Sequence, residues 1–202
     1  MRLATGMSSD RVVFGPIIGD ELCDVSVDGP WATLSDALGT DQRPLLERVA
    51  AQAARVSLAD LIWLPPIPAP RRILCVGLNY AEHAAESDHG RTVPSEFPVI
   101  FTRFASSIVG HGAPIVQPMA STAYDYEGEL AVVIGATARA VRVEHAAQVI
   151  AGYSCFMDGT LRDFQRHTSQ FIPGKNFDRS GAFGPWIVTP DEFVLDLSLI
   201  HI

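Results

Sequence analysis

The feature that most constrains the fold of this chain is a succession of short apolar runs, most of them bounded by glycine, proline or aspartate. Examples are "RVVFGPIIG", "ELCDVSV", "PVIFTRF", "APIVQP", "GELAVVIG" and "GPWIVT". Runs of this length, rich in Val, Ile and Phe and bounded by turn residues, are typical of β-strands. Helical periodicity is indicated at about residues 42–56, 80–87 and 144–150. The pattern therefore predicts a β-rich α+β protein.

A proline-rich stretch divides the chain. "WLPPIPAPRR" places four prolines between Pro65 and Pro70, which predicts a stiff, extended connector. We expect a small N-terminal domain over residues 1–62, a linker over 63–72 and a core domain over 73–196. The last six residues, "LSLIHI", follow without a turn, a cap or a polar end. We interpret residues 197–202 as a non-native tail, and the alternative is a genuine short strand.

The composition restricts the kinds of molecule that this protein is expected to bind. The net charge is −8, and the Lys and Arg residues are scattered, which disfavours binding to nucleic acid or to anionic lipid. No apolar stretch is long enough to span a membrane, and the N-terminus lacks the apolar segment of a signal peptide. Cys23, Cys75 and Cys155 are odd in number and show no metal-ligand spacing, so we expect reduced core thiols. These features predict a cytoplasmic protein that acts on a small molecule.

Two glutamates precede the apolar run "LAVVI". Residues two apart in a strand point to the same side, so Glu127 and Glu129 are expected to project together, with Gly128 leaving the other side open. Two adjacent carboxylates repel each other, and removing them from water is costly unless a cation compensates. The pair therefore indicates either a divalent metal site or a strand end at which both carboxylates are in water.

A third carboxylate favours the metal interpretation. Asp158 ends the apolar run "YSCFM", immediately before Gly159. Three carboxylates without His or Cys select a hard ion, namely Mg²⁺, Mn²⁺ or Ca²⁺. Asp125 is a weaker candidate ligand because it lies farther toward the loop. Arg162 and Asp163 are expected to form a local ion pair beside the site.

Three further residues are candidates for chemistry. His83 and Glu86 share one face of the helix predicted at 80–87. Such a pair on a surface helix is either solvated or, beside a metal, able to take a proton from water while the carboxylate orients the imidazole. Lys175 follows Gly174 in a predicted loop, where it is either a solvated charge or a contact for an anionic substrate.

Four segments, in order, resemble the fumarylacetoacetate hydrolase family: "ILCVGLNYAEHAAE", "YEGELAVVIG", "AGYSCFMDGTLRDFQ" and "PGKNFDRSGAFGPWIVT". The resemblance is greatest to bacterial acylpyruvate hydrolases, 2-oxohepta-3-ene-1,7-dioate hydratases and 5-carboxymethyl-2-hydroxymuconate isomerases, enzymes of aromatic compound catabolism. It implies the mixed β-roll of that family with a small N-terminal domain, and a homodimer. Residues from about 64 to 190 are covered.

The resemblance also implies roles for single residues. Glu127, Glu129 and Asp158 match the ligands of Mg²⁺ or Mn²⁺. His83 and Glu86 match the dyad that activates water, and Lys175 matches a catalytic and substrate-binding lysine. Arg162 and Gln165 match substrate contacts.

Two departures from the family pattern accompany these matches. Met157 stands where the family has Asn, which implies a changed hydrogen bond beside Asp158. A C-terminal "PGD…TGTP.G" segment is absent, so we expect an incomplete β-roll.

The expected activity is metal-dependent hydrolysis of a carbon–carbon bond in a 2,4-dioxo acid. Such an acid offers only oxygen donors, which suit a hard cation. One alternative is an isomerase or hydratase of 2-oxo or 2-hydroxymuconate-type diacids, because the same residues serve both reactions. Another is an inactive metal-binding fragment.

Overall fold

The structure is a computed structural model, and it describes residues 1–39, 41–77 and 97–193. The predicted helix at 80–87 and the tail at 197–202 lie outside these ranges. The strands within them are β1 (Arg2–Ser8), β2 (Arg11–Ile18), β3 (Glu21–Asp24), β4 (Ala54–Ser57), β5 (Ile62–Trp63), β6 (Ile73–Gly77), β7 (Val99–Arg103), β8 (Ile108–Val109), β9 (Tyr124–Asp125), β10 (Gly128–Ile134), β11 (Ile150–Met157), β12 (Thr160–Leu161) and β13 (Gly181–Val188).

Helices are short in the described ranges. The α-helices are α1 (Leu34–Ala37), α2 (Arg43–Ala50), α3 (Arg162–Gln165) and α4 (Ile172–Lys175). Single 3₁₀ segments cover Leu58–Asp60, Ala105–Ser107, Val143–Val149 and Pro190–Glu192. This content confirms the β-rich α+β prediction. None of the helices described is long and apolar enough to cross a membrane.

One sheet carries most of the strands. Its order is β10-β11-β13-β1-β2-β3-β4, with β5 beside β1 and β8 beside β13. All of its pairs are antiparallel except β8 with β13. β1 pairs with β13 through Leu3 opposite Ile187. The sheet therefore continues from the N-terminal strands into those of the predicted core domain.

The hydrophobic core also extends from the N-terminal region into the predicted core domain. One buried cluster contains Leu3, Phe14 and Leu46 from the N-terminal region together with Val133 and Ile187. Burying such side chains stabilises the fold by roughly 1.5–3 kcal/mol each. Both regions contribute to this cluster, and the division at residues 62 and 73 stays a prediction.

Some predicted elements differ from those observed. The predicted helix at 42–56 ends at Ala50, because residues 54–57 pair as β4 with β3. That pairing places Arg55 opposite Cys23 and is non-local, so local Leu and Ala content did not reveal it. Residues 113–118 ("APIVQP") form no strand. The short helix predicted at 144–150 is a 3₁₀-helix over Val143–Val149.

The cysteines also differ in burial. Cys23 is buried, Cys75 is partly buried, and Cys155 is exposed. The prediction of a core thiol is therefore wrong for Cys155. Alternate residues of a strand face opposite sides, and Cys155 lies on the side where Val132 of the neighbouring β10 is also exposed.

Candidate active site

The ends of β10 and β11 bring two predicted ligands together. Gly128 pairs with Met157 where these antiparallel strands adjoin. Glu127 and Asp158 are the next residues outward, and the Asp158 amide donates to the Glu127 carbonyl at 2.9 Å. Residue 159 must be glycine here, because a Cβ would lie 1.9 Å from the carbonyl oxygen of Ser180. The local sequence thus fixes both carboxylates at one edge of the sheet.

Lys175 joins these two carboxylates. Its Nζ donates to Glu127 Oε2 at 2.8 Å and to Asp158 Oδ2 at 2.7 Å. The lysine side chain is only 1% exposed, and Asp158 is also buried. The prediction of a lysine in a loop is corrected, because Lys175 is the last residue of α4. We call Lys175, Glu127 and Asp158 the Lys175 centre.

The position of Lys175 depends on close helix packing. A Cβ on Gly174 would lie 2.6 Å from the backbone nitrogen of Gln165. Only glycine allows α4 to approach α3 so closely. Asn176 then anchors the end of α4 to β7, since its side-chain amide donates to the carbonyl of Thr102 at 3.0 Å and accepts from the Phe104 amide at 2.7 Å. This packing directs the lysine inward rather than toward solvent.

Arg162 lies on the more open side of the centre. Its Nη1 lies 2.6 Å from Glu127 Oε1 and 3.1 Å from Gln165 Oε1, and its Nη2 lies 2.7 Å from Asp125 Oδ2. The predicted pair of Arg162 with Asp163 is not what the structure shows. Asp163 instead accepts a hydrogen bond from Ser121 Oγ at 2.8 Å. Arg162 and Gln165, the two predicted substrate contacts, therefore contact each other. Arg162 also contacts the carboxylates of Glu127 and Asp125.

Neighbouring charges lower the pKa values of Glu127 and Asp125. Burial by itself raises the pKa of Glu127, but the charges and hydrogen bonds of Lys175 and Arg162 outweigh it and lower that pKa. A hydrogen bond from Arg162 lowers the pKa of Asp125. Burial lowers the pKa of Arg162, and hydrogen bonds and charge from Asp125 and Glu127 raise it by more. Positively and negatively charged side chains therefore lie next to one another throughout the site.

Glu129 lies in β10 opposite Phe156 of β11 and is partly buried. Burial raises the pKa of the Cys75 thiol in β6 to about 12. The charge of Asp158 and then that of Glu129 add to this rise, and the charges of Arg103 and Lys175 oppose it.

Arg103 was not foreseen from the sequence. Its side chain is 0% exposed, and its Nη1 lies 2.5 Å from Asp158 Oδ1. The available signal was an arginine inside the apolar run "PVIFTRF", because a charge in a buried strand requires a partner. The sequence could not show that the partner is Asp158, since 55 residues separate the two.

The side chains as they stand do not form a three-ligand metal site. Within residues 1–39, 41–77 and 97–193, no group of three His, Cys, Asp or Glu is arranged to hold an ion. The donor set nevertheless fits a hard cation, because carboxylate oxygens of two residues already surround one ammonium at 2.7 and 2.8 Å. The roles predicted for Glu127, Glu129 and Asp158 as ligands stay predictions. His83 and Glu86 lie outside the described residues.

A family comparison covers the region that builds this centre. The sequence model described as "Fumarylacetoacetate (FAA) hydrolase C-terminal" matches residues 72–199. The match includes β6 to β13, and with them the Lys175 centre, Arg103 and Arg162.

Two relatives illustrate the similarity in sequence. An uncharacterized protein of Archaeoglobus fulgidus is 42% identical over 137 residues, which are 68% of this chain and 53% of that protein. A mitochondrial oxaloacetate tautomerase of Xenopus laevis is 36% identical over 204 positions, which cover 95% of this chain and 62% of that protein. The chain thus spans little more than half the length of these curated relatives.

Solved structures show the same fold. A fumarylacetoacetate hydrolase of Exiguobacterium antarcticum superposes with a TM-score of 0.79 at 34% identity, covering 96% of this chain and 68% of that one. A 5-carboxymethyl-2-hydroxymuconate delta-isomerase of Mycobacterium smegmatis gives 0.74 at 32%, covering 98% and 69%. A maleylpyruvate hydrolase of Sphingobium sp. SYK-6, in complex with manganese(II) and pyruvate, gives 0.72 at 27%, covering 95% and 68%.

Proposed function

Because the chain belongs to the fumarylacetoacetate hydrolase family, we propose that it is an enzyme that stabilises the enol form of a 2-oxo acid at the Lys175 centre. The observation that carries this proposal is the buried ammonium of Lys175 between Glu127 and Asp158, at 2.8 and 2.7 Å. The named relatives include hydrolases, an isomerase and a tautomerase. Formation or release of an enol is a step that all three reaction types can share.

The residues account for this chemistry as follows. Transfer of a proton from C3 of a 2-oxo acid to a base, a role that the family resemblance offers to His83, leaves negative charge on the C2 oxygen. An ammonium has three N–H donors, and Lys175 uses two of them on Glu127 and Asp158, so the third suits that oxygen. Arg162, with Gln165 at 3.1 Å, suits the substrate carboxylate, because a guanidinium binds planar anions with two parallel hydrogen bonds.

A divalent cation is part of the proposal. Glu127, Glu129 and Asp158 would hold Mg²⁺ or Mn²⁺, with Ca²⁺ as a weaker choice, and the ion would supply Lewis-acid polarisation of the 2-oxo group. Support comes from the all-oxygen donor set and from the relative solved with manganese(II) and pyruvate. Within this proposal the side chain of Lys175 donates a hydrogen bond to the enol oxygen.

Tautomerisation or isomerisation is the first candidate reaction. It requires only enol stabilisation and a proton transfer, and an oxaloacetate tautomerase matches 95% of this chain. Carbon–carbon bond hydrolysis is the second candidate, favoured by the likeness to the maleylpyruvate hydrolase. Hydrolysis needs an activated water, a role that the family resemblance gives to His83 and Glu86.

The test is turnover with Mn²⁺ or Mg²⁺ on three substrates: oxaloacetate, an acylpyruvate and a 2-hydroxymuconate-type diacid. Conversion of enol to keto oxaloacetate, or isomerisation of the diacid, supports the first candidate. Release of pyruvate together with a free acid supports the second, and His83→Ala should then abolish that release while leaving Mn²⁺ affinity unchanged. Absence of all three reactions would favour the inactive fragment. Homodimer formation, cytoplasmic location and a place in aromatic compound catabolism are further predictions.

A further inference from the structure

We propose that Arg103 is the positioning residue of the Lys175 centre, holding the Asp158 carboxylate in the one orientation that binds a cation; this inference rests on the proposed function. Arg103 ends β7, and its side chain is 0% exposed. It contacts Oδ1 of the Asp158 carboxylate, whereas Lys175 contacts Oδ2. Its role is therefore to act through Asp158 rather than on a substrate.

One nitrogen of the Arg103 guanidinium binds both Asp158 and the residue that follows it. Nη1 donates to Asp158 Oδ1 at 2.5 Å and to the carbonyl of Gly159 at 3.0 Å. The side chain and the backbone that follows it are thus held by the same nitrogen. With Oδ1 fixed in this way, Oδ2 is directed toward the interior of the centre.

The remaining donors of Arg103 fix the guanidinium itself. Nε donates to Ser107 Oγ at 3.1 Å, and Nη2 donates to the Ser107 carbonyl at 3.2 Å and to Ser180 Oγ at 3.0 Å. Ser180 Oγ is in turn oriented by donating to the carbonyl of Phe177 at 2.7 Å. A planar fork held from three segments of the chain cannot rotate without breaking several hydrogen bonds. The orientation of Asp158 is therefore built into the scaffold.

A charge-compensating role and a positioning role for Arg103 predict opposite changes in cation affinity when Arg103 is replaced. If Arg103 only offsets the charge of Asp158, removing it leaves the centre more negative and cation binding becomes tighter. If Arg103 positions Asp158, removing it frees the carboxylate to rotate and cation binding becomes weaker. Groups that orient a ligand in this way typically contribute about 10–100-fold to metal affinity. The sign of the change thus separates the two roles.

The experiment is a titration with Mn²⁺, with free ion followed by electron paramagnetic resonance, on the wild-type protein and four variants. Arg103→Gln should raise the Mn²⁺ dissociation constant by about 10–100-fold. Arg103→Lys keeps the charge and should recover part of the loss. Ser180→Ala should cause a smaller increase, because it removes one anchor of the guanidinium. Arg139→Gln, a loss of the same charge at an exposed position, is the matched control and should match wild type.

The outcomes are distinct. Weaker binding by Arg103→Gln, with partial recovery in Arg103→Lys, supports the inference. Unchanged or tighter binding by Arg103→Gln while wild type binds Mn²⁺ overturns it and leaves the proposed function standing. Absence of Mn²⁺ binding by wild type refutes the proposed cation centre and this inference together. If circular dichroism shows that Arg103→Gln does not fold, Ser180→Ala decides, and an affinity equal to wild type overturns the inference.

Discussion

The ammonium of Lys175 lies 2.7 Å from Asp158 Oδ2 in a part of the protein where both side chains are at most 4% exposed. Burying these charges is costly unless they compensate one another, and the pair is completed by Glu127 at 2.8 Å from the same nitrogen. In the metal-free protein, the ammonium of Lys175 thus supplies positive charge to both carboxylates.

Replacing Lys175 by Met should leave two carboxylates facing each other without their cation. Removing one partner of a buried ion pair typically costs about 3–5 kcal/mol, so the metal-free variant should unfold at a clearly lower temperature. Mn²⁺ should then stabilise the variant more than wild type, because the ion replaces the missing positive charge. Thermal unfolding with and without Mn²⁺ checks this, and equal stabilisation of both proteins would contradict it.

The three thiols should react at different rates. The pKa of Cys75 is raised to about 12 by burial and by the nearby carboxylates, so at pH 8 its thiol is protonated and unreactive. Cys23 is buried, and burial raises the pKa of its thiol as well. Cys155 is exposed and should be alkylated first.

Mass spectrometry after brief iodoacetamide treatment at pH 8 measures this order directly. Cys155→Ser is the matched variant and should lose the fast phase. Rapid modification of Cys75 in the native protein would show that its environment differs from the one described.

Arg43 of α2 makes a bidentate contact with Asp191, which follows β13, at 2.9 and 2.8 Å. Hydrogen bonds from Arg43 and then from Thr189 lower the pKa of Asp191. A lowered native pKa stabilises the fold above the unfolded value of 3.8, and this contribution is lost as pH falls through the native value. Both side chains are more than 40% exposed, so the contribution at pH 7 should not exceed about 1 kcal/mol.

Urea unfolding of Asp191→Asn, Arg43→Met and the double variant isolates this pair in a thermodynamic cycle. The coupling should be present at pH 7, decrease as the pH is lowered below 3.8 and weaken at high salt. An Arg43–Asp191 coupling free energy that increases toward low pH would contradict the stabilisation expected from the lowered pKa of Asp191.

Ile187 tests the continuity of the core across the predicted domain boundary. It is 0% exposed and pairs with Leu3 of β1. Ile187→Ala should cost about 2–5 kcal/mol, and Ile187→Val about 0.5–1.5 kcal/mol. Val132→Ala, at a position 46% exposed in the same sheet, is the control and should change stability much less.

Urea unfolding gives these differences and also reports cooperativity. A single transition, shifted as a whole by Ile187→Ala, is expected from a shared core. Two separate transitions would show that the N-terminal region folds independently.

The sequence pattern predicted those site residues whose positions depend on the strand next to them. Glu127 and Asp158 were identifiable because each carboxylate adjoins an apolar run, and strand geometry places such residues at sheet ends. The burial of Lys175 was missed because it depends on the approach of Gly174 to Gln165. Arg103 was missed because its partner lies 55 residues away.

The most direct test of the central proposal is exchange of the C3 protons of pyruvate for deuterium, followed by proton NMR in D₂O with Mg²⁺ present. Stabilisation of the enol at the Lys175 centre predicts faster exchange with the protein than with Mg²⁺ alone. The same proposal predicts that Lys175→Met and Asp158→Asn abolish the acceleration, while Arg139→Gln retains it. Exchange by the wild-type protein no faster than by Mg²⁺ alone, or undiminished acceleration in Lys175→Met, would contradict it.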